Sequence, residues 1–167
     1  SSTLFAEKSL QQNVYKDLQN KEKQLRQEIK KQQQEAEKLK KAIQKIIEEE
    51  LKRQEEAKKK SGFALTPEAK ALSDDFQNNK GKLPWPVEKG VITEKYGEHP
   101  HPVLREIKIQ NNGINIGTTK GAEARSVFSG KVSAVIVLPG SGIAVMVRHG
   151  EYLSVYSNLA EVYVKKD

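Results

Sequence analysis

The chain contains no cysteine and only three histidines among its 167 residues. The absence of cysteine excludes disulfide bonds and every metal site built on thiolate ligands. No apolar run approaches the roughly 18 residues that a membrane-spanning helix requires. Neither proline nor glycine occurs before Gly62, so the first third of the chain lacks the residues that interrupt helices. These absences favour a long, unbroken helix at the start of a chain without covalent cross-links.

Charge and polarity are distributed unevenly along the chain. The formal net charge is +7, and residues 1–60 carry 16 Lys/Arg and 11 Asp/Glu. Lysines there alternate with glutamates, which is typical of a solvated helix face, and no aromatic residues accompany a basic stripe. The pattern therefore does not indicate nucleic-acid binding. A mean hydropathy of -0.71 is too polar for one compact globule, so the hydrophobic core is expected within residues 83–167.

Residues 4–60 show the alternating three- and four-residue spacing of a coiled coil. The two rows of seam positions are Leu18, Leu25, Gln32, Leu39 and Ile46, and Glu22, Ile29, Ala36, Ile43 and Glu50. We predict a coiled-coil segment over residues 1–60, with pairing weakened by the polar members of each row. A lone solvated helix, or two shorter helices docked elsewhere, is the alternative.

A second, shorter helix is predicted within a linker over residues 61–82. Thr66 is a suitable N-cap, Pro67 favours the first helical turn, and Gly81 ends the segment shortly after about residue 79. Two interpretations remain open for this helix. It either packs on the following domain as a linker or covers a groove in that domain.

From residue 83 onward the hydrophobic period changes from 3.6 to 2. Two apolar runs, 131–138 and 143–148, flank the turn sequence P-G-S-G, which predicts a hairpin, and 152–156 predicts a further strand. Residues 104–116 and 124–128 are also predicted as strands. The sequence thus predicts an α+β chain, in which a long helix precedes a small, mainly antiparallel β domain over residues 83–167.

Several short motifs then follow one another in a fixed order. They are P-W-P-V and G-V-I-T-E-K-Y-G within 83–97, H-P at 101–102, S-G-K-V at 129–132, G-I-A-V-M-V-R-H-G at 142–150 and Y-S-N-L at 156–159. This series resembles the LytM/lysostaphin-type metallopeptidase domain, which cuts peptidoglycan cross-bridges. The resemblance implies a duplicated-hybrid-motif fold over roughly residues 83–167. It also implies that the C-terminal part of the domain, which carries the third zinc ligand, is missing from this chain.

The resemblance also locates a metal site whose ligands are replaced. The sequence N-N-G-I-N-I at 111–116 matches the family's H-x-G-[IV]-D-[IYV], so Asn111 and Asn115 stand where two zinc ligands are implied. Asn158 stands where the family has a histidine that assists catalysis. A neutral carboxamide binds zinc far more weakly than imidazole or carboxylate does. We therefore expect no bound metal, no zinc cofactor and no catalytic residue.

The three histidines are the remaining candidates for a metal site. Together, His99, His101 and His149 could bind a metal in principle. The resemblance instead implies that His101 and His149 are structural, capping turns or bonding the backbone. We favour this structural interpretation for the histidines.

A degenerate domain of this kind behind a coiled coil is similar to the EnvC-type activators of cell-wall amidases in cell division. That likeness implies a periplasmic or other extracytoplasmic location. It further implies a metal-free groove that binds an amidase helix, and a coiled coil that contacts a membrane complex of the FtsE–FtsX type. The groove residues it suggests are Tyr96, Asn111, Asn115, Tyr156 and Asn158. Binding of peptidoglycan itself is a further possible contact.

Two other functions remain open from the sequence. The first is an active zinc metalloendopeptidase that cleaves peptidoglycan peptides with unconventional ligands. The second is a structural coiled-coil adaptor whose β domain binds murein. Bound zinc with cross-bridge cleavage is expected only of the first, and tight binding to murein without amidase stimulation only of the second.

Overall fold

A computed structural model of the chain describes residues 2–61 and 67–167. It contains two helices, α1 (Ser2–Ser61) and α2 (Pro67–Asn78). Seven strands follow: β1 (Val91–Glu94), β2 (Gly97–Pro100), β3 (Lys108–Asn111), β4 (Asn115–Gly117), β5 (Lys131–Leu138), β6 (Gly142–His149) and β7 (Tyr152–Leu159). All strand pairs are antiparallel. The predicted α+β class, with a long N-terminal helix and small antiparallel sheets, is confirmed.

The chain divides into two compact units, Ser1–Ile43 and Gln44–Asp167. The described residues of the first unit all belong to helix α1. The second holds the remaining α1 residues from Gln44, helix α2 and all seven strands. The predicted coiled-coil pairing of residues 1–60 involves a second helix and stays a prediction.

Both predicted helices form where the local sequence favours them. Helix α1 runs to Ser61 because no proline or glycine interrupts it. Helix α2 begins at Pro67, whose missing N–H costs nothing in a first turn, and Glu68 places an acidic side chain near its positive end. Gly81, at φ +77°, lies in the turn that follows the helix. The predicted N-cap Thr66 lies outside the described residues.

The core of the β domain is built around strand β6. The order of the three-stranded sheet is β5-β6-β7, so β6 is paired on both edges. Its residues Ala144 to Val147 are buried, and Met146 has no exposed surface. Truncating a fully buried side chain of this size typically costs about 2 to 5 kcal/mol. The hairpin predicted between β5 and β6 is confirmed, with the Ser141 amide donating to the Leu138 carbonyl at 3.0 Å.

Two strand predictions were wrong in detail. The segment 104–116 forms two separate strands, β3 and β4, because the chain bends at residues 112–113 and the two halves pair with different partners. The segment 124–128 forms no strand. Only Ala124 makes an isolated bridge, to Val87. The spacing of apolar side chains in 124–128 is consistent with a strand, but apart from the Ala124 bridge these residues do not pair with another strand in the described structure.

Candidate functional site

Asn111 and Asn115 lie on either side of a tight bend. Asn111 ends β3 and Asn115 begins β4. The Asn111 Oδ1 accepts a hydrogen bond of 3.1 Å from the Gly113 amide, which stabilises the bend in the way asparagine side chains commonly do. The Asn111 Nδ2 lies 3.4 Å from the Asn115 Oδ1 and donates a long hydrogen bond to it. The two residues that replace the implied zinc ligands therefore meet at their side-chain tips.

Two further residues join this pair and form what we call the amide cluster: Glu94, His99, Asn111 and Asn115. Antiparallel pairing of β1 with β4 places Glu94 opposite Asn115. The Asn115 Nδ2 donates a hydrogen bond of 2.7 Å to the Glu94 Oε2. The His99 Nε2 lies 3.3 Å from the Glu94 Oε1, close enough for an ion pair if His99 is protonated, but poorly aligned for a hydrogen bond. The cluster thus contains one carboxylate, one imidazole and two carboxamides.

The hydrogen bonds of the amide cluster limit its chemistry. Both polar atoms of each asparagine side chain already have a partner within the cluster or the bend. A carboxamide oxygen is neutral, so it binds a divalent cation much more weakly than the carboxylate or imidazole that the resemblance implies at these positions. Within the described residues, no group of three or more His, Cys, Asp or Glu side chains is placed to hold a metal ion.

One ion pair, Lys108 with Glu98, lies on the sheet formed by β2 and β3. The Lys108 Nζ donates a hydrogen bond of 2.8 Å to the Glu98 Oε1 across the β2–β3 ladder. This hydrogen bond and the charge of Glu98 raise the pKa of Lys108. Lys108 is therefore paired with a residue of the same two-stranded sheet. By the strand register, Lys108 and Glu98 lie on the face of this sheet opposite to Asn111 and His99.

Tyr96 and Tyr156, the two predicted aromatic groove residues, lie in different surroundings. Tyr96 occupies the connection between β1 and β2 and is 72% exposed. Tyr156 lies on β7, and its hydroxyl accepts a hydrogen bond of 2.9 Å from the Val127 amide. The Ser154 hydroxyl also lies 3.1 Å from it. Tyr96 is therefore available to a partner, whereas the Tyr156 hydroxyl is held within the domain.

Asn158 has a conformation that explains why asparagine suits this position. Its φ is +60°, and it lies at an irregularity in the β6–β7 pairing, between the pairs Ile143–Leu159 and Val145–Tyr156. Asparagine tolerates this left-handed region better than most residues other than glycine. Among the described residues, no hydrogen bond or ion pair links Asn158 or Tyr156 to the amide cluster. In the described residues, a hydrogen bond thus connects Asn111 with Asn115, but none connects either of them to Tyr156 or Asn158.

His101 and His149 contact the backbone, which is the structural role that the resemblance implies. The His101 Nδ1 accepts hydrogen bonds from the Val103 and Leu104 amides, at 3.2 and 3.0 Å, and so caps a turn. His149 has no exposed surface, and its Nδ1 lies 2.6 Å from the Ser129 carbonyl oxygen. A carbonyl can only accept, so Nδ1 carries the proton.

Sequence reasoning did not associate Glu94 or His99 with the asparagine positions. Glu94 precedes Asn115 by 21 residues, and only the β1–β4 register brings them together. For His99, the sequence supported only the structural interpretation given to all three histidines. No local pattern in residues 91–100 indicates these contacts, because β1 pairs with β4 and β2 with β3, and only that pairing brings Glu94 and His99 to the asparagines.

Helix α2 packs on the turn between β6 and β7. Its Phe76 ring stacks on the His149 ring with 4.7 Å between centroids, and it contacts Tyr152 and Phe128 at 5.2 and 5.5 Å. Ser73, on the same face of the helix, is buried. These contacts are those expected of a linker helix that packs on the domain.

Searches against protein-family models, curated proteins and solved structures find no match to this chain. In the part of the chain that the structure describes, no helix combines the length and apolar character needed to cross a membrane.

Proposed function

We propose that this protein is a non-catalytic component of the cell envelope that activates or scaffolds a peptidoglycan hydrolase, an amidase, during cell division. The observation that carries the proposal is the hydrogen bonding of the amide cluster. The two positions that would hold zinc in a LytM-type peptidase carry asparagines that bond to each other and to Glu94. This arrangement favours a surface that binds a partner over one that activates a water molecule.

The chemistry of the cluster supports this choice. Zinc peptidases depend on a metal ion that lowers the pKa of a bound water and polarises the scissile carbonyl. Asparagine side chains cannot supply the charge that holds such an ion. They can donate and accept hydrogen bonds at low desolvation cost, which suits the rim of a protein interface.

The proposed partner element is an amphipathic helix of the amidase, bound beside the cluster by the helix-in-groove mode. Tyr96 is the aromatic residue best placed to contribute, because it is largely exposed and precedes β2 directly. Exposed tyrosines with an apolar ring and a polar hydroxyl are frequent anchors of interfaces. Helix α1 is proposed to contact a membrane complex of the FtsE–FtsX type through coiled-coil pairing.

An activation assay tests the proposal. The purified chain is mixed with purified cell-wall amidases of the source organism, and dye release from labelled murein sacculi is measured. We expect the chain to stimulate one amidase and to release no dye alone. Tyr96→Ala should lower the stimulation, while Tyr163→Ala, which alters an 84% exposed tyrosine far along the sequence, serves as the matched control.

The same experiment distinguishes the two other functions. Dye release or cross-bridge cleavage by the chain alone, abolished by a chelator, would support a zinc metalloendopeptidase. Tight co-sedimentation with sacculi without any amidase stimulation would support a murein-binding adaptor. Either result would overturn the activator proposal.

A further inference from the structure

Residues 148–151, which we call the junction turn, are the last two residues of β6 and the two residues that connect it to β7, and they contact both helices. The junction turn comprises Arg148, His149, Gly150 and Glu151. All of its helix contacts described below lie within the unit Gln44–Asp167. The proposed hydrolase-activating function assigns this turn no role, and the inference below does not depend on that function.

Glu50 attaches α1 to the junction turn. Its Oε1 lies 2.9 Å from the Arg148 Nε, and its Oε2 accepts a hydrogen bond of 2.8 Å from the Ser133 hydroxyl. The N–H of Nε is not well aligned with the carboxylate, so the Arg148 contact is best described as an ion pair. The Glu50 and Arg148 side chains are only 23% and 22% exposed. An ion pair with this degree of burial is screened less by solvent than a surface pair.

Arg148 extends this connection into the turn itself. Its Nη1 donates a hydrogen bond of 3.3 Å to the Gly150 carbonyl, two residues further along the chain. The same guanidinium group therefore contacts α1 through Glu50 and the backbone of the turn through Gly150. If Glu50 moved away, a largely buried cation would lose its counter-charge, and reorientation of Arg148 toward solvent would be favoured.

Helix α2 packs on the junction turn with very little space between them. A Cβ atom added to Gly150 would lie 2.6 Å from the Ser73 Cβ and would also clash with the Ala69 carbonyl. The Glu151 amide donates a long hydrogen bond of 3.4 Å to the Ser73 hydroxyl. Phe76 stacks on His149 one turn further along the helix. Any displacement of Gly150 must therefore move α2 or break its packing.

We propose that the junction turn couples the C-terminal part of α1 to α2, so that loosening either helix loosens the other. The coupled path runs from Glu50 through Arg148 to Gly150, and from Gly150 to Ser73. Undocking of α2 exposes an aromatic face made of Phe128, His149 and Tyr152, on which Phe76 is stacked in this structure. Because coupling free energies are reciprocal, the effect must be measurable in both directions.

Hydrogen–deuterium exchange of the full chain tests the forward direction. In Glu50→Gln the amides of residues 67–78 should exchange at least about fivefold faster than in the wild type, which is the lower end of measured couplings. The amides of β6 should change less. Glu49→Gln, a neighbouring exposed position, is the matched control and should leave residues 67–78 unchanged. If Glu50→Gln folds poorly, Ser133→Ala removes one Glu50 hydrogen bond and should produce a smaller shift in the same direction.

The reverse direction uses Phe76→Ala, which removes the ring that stacks on His149. Exchange of residues 44–56 should then become faster, whereas Gln77→Ala, an exposed position of α2, should leave it unchanged. Two outcomes would overturn the proposal. The first is faster exchange in the altered helix with an unchanged partner helix. The second is an equal rise in β6 and both helices, which indicates global unfolding.

Discussion

The side chain of Asn115 donates a hydrogen bond of 2.7 Å from Nδ2 to the Glu94 Oε2. A donor is required at this position, because Glu94 presents a carboxylate. An aspartate, the residue that the family resemblance implies at position 115, would place two carboxylates in contact unless a cation lay between them. The contact therefore gives a physical reason for a neutral donor, rather than a carboxylate, at position 115.

Asn115→Asp should lower stability at neutral pH by about 1 to 2 kcal/mol through carboxylate repulsion. Urea denaturation measures the loss, which should shrink as the pH falls and one carboxyl group becomes protonated. Asn112→Asp, in the adjacent bend, is the control and should cost less than half as much. An equal cost for the two variants would contradict the Glu94 contact.

The double substitution Asn111→His and Asn115→Asp should restore measurable zinc binding. The two side-chain tips meet in the wild type, so the new imidazole and carboxylate would face one ion beside the Glu94 carboxylate. Isothermal titration with zinc checks this, together with a zinc-dependent rise in the melting temperature. We expect no such rise for the wild type. A double variant that folds but shows no zinc binding would count against the alignment of these two positions.

Glu50→Gln should reduce stability in a pH-dependent way. Burial raises the pKa of Glu50, but the close Arg148 guanidinium, the hydrogen bond from Ser133 and the charge of Arg53 together lower it below its ordinary value. The ionised carboxylate therefore stabilises the fold above the ordinary pKa, and this contribution is lost as pH falls through the lower folded-state pKa.

For that variant we expect a loss of about 1 to 2 kcal/mol at pH 7, between the values for exposed and buried pairs. The difference from the wild type should begin to shrink at the ordinary glutamate pKa and disappear below the lower folded-state pKa. Urea denaturation across pH 3 to 7, with Glu49→Gln as control, measures it. A difference that persists unchanged at low pH would contradict an ionic origin.

Gly150→Ala should destabilise the protein by about 2 kcal/mol or more. Gly150 has φ +70° and lies against Ser73 and Ala69, so an added methyl group meets both backbone strain and a clash. Gly121→Ala is the matched control, because φ there is +81° but nothing lies within 4 Å of the added atom. It should cost only about 1 kcal/mol. Thermal unfolding of both variants gives the comparison, and equal losses would argue against close packing of α2.

Substitution of Asn158 separates its conformational role from partner binding. Asn158→Gly should change stability by less than about 0.5 kcal/mol, whereas Asn158→Val should cost about 1 to 2 kcal/mol because a β-branched residue disfavours φ +60°. Chemical denaturation measures both. If Asn158 contacts the amidase, the glycine variant should fold normally and still stimulate less. Full stimulation by that variant would restrict the residue to a structural role.

Local patterns in the sequence predicted most of the elements but not all of their limits. The absence of proline and glycine before Gly62 was sufficient to predict α1, and the P-G-S-G turn was sufficient to predict the β5–β6 hairpin. Local period could not show that 104–116 breaks into two strands. That break depends on which distant segments pair with each half, and β1 and β2 take different halves.

For the candidate site too, the sequence predicts the kinds of side chain, whereas strand pairing decides which of them are in contact. The sequence alone shows that positions 111, 115 and 158 carry neutral carboxamides, which bind metal ions weakly. The sequence could not indicate that Glu94 and His99 lie beside two of these asparagines and that Asn158 does not join them by a hydrogen bond or ion pair. Pairing register decides such contacts, and register is fixed by the whole sheet rather than by neighbours in the chain.

The amino-acid sequence by itself determined the helical first part, the β-rich second part and the chemical character of the three asparagines, because these follow from local propensity and side-chain type. Only the tertiary structure decided that Asn115 bonds to Glu94, that Glu50 pairs with Arg148, and that α2 packs on the junction turn. These contacts join residues that are 21 to 98 positions apart, so they exist only once the strands and helices have packed.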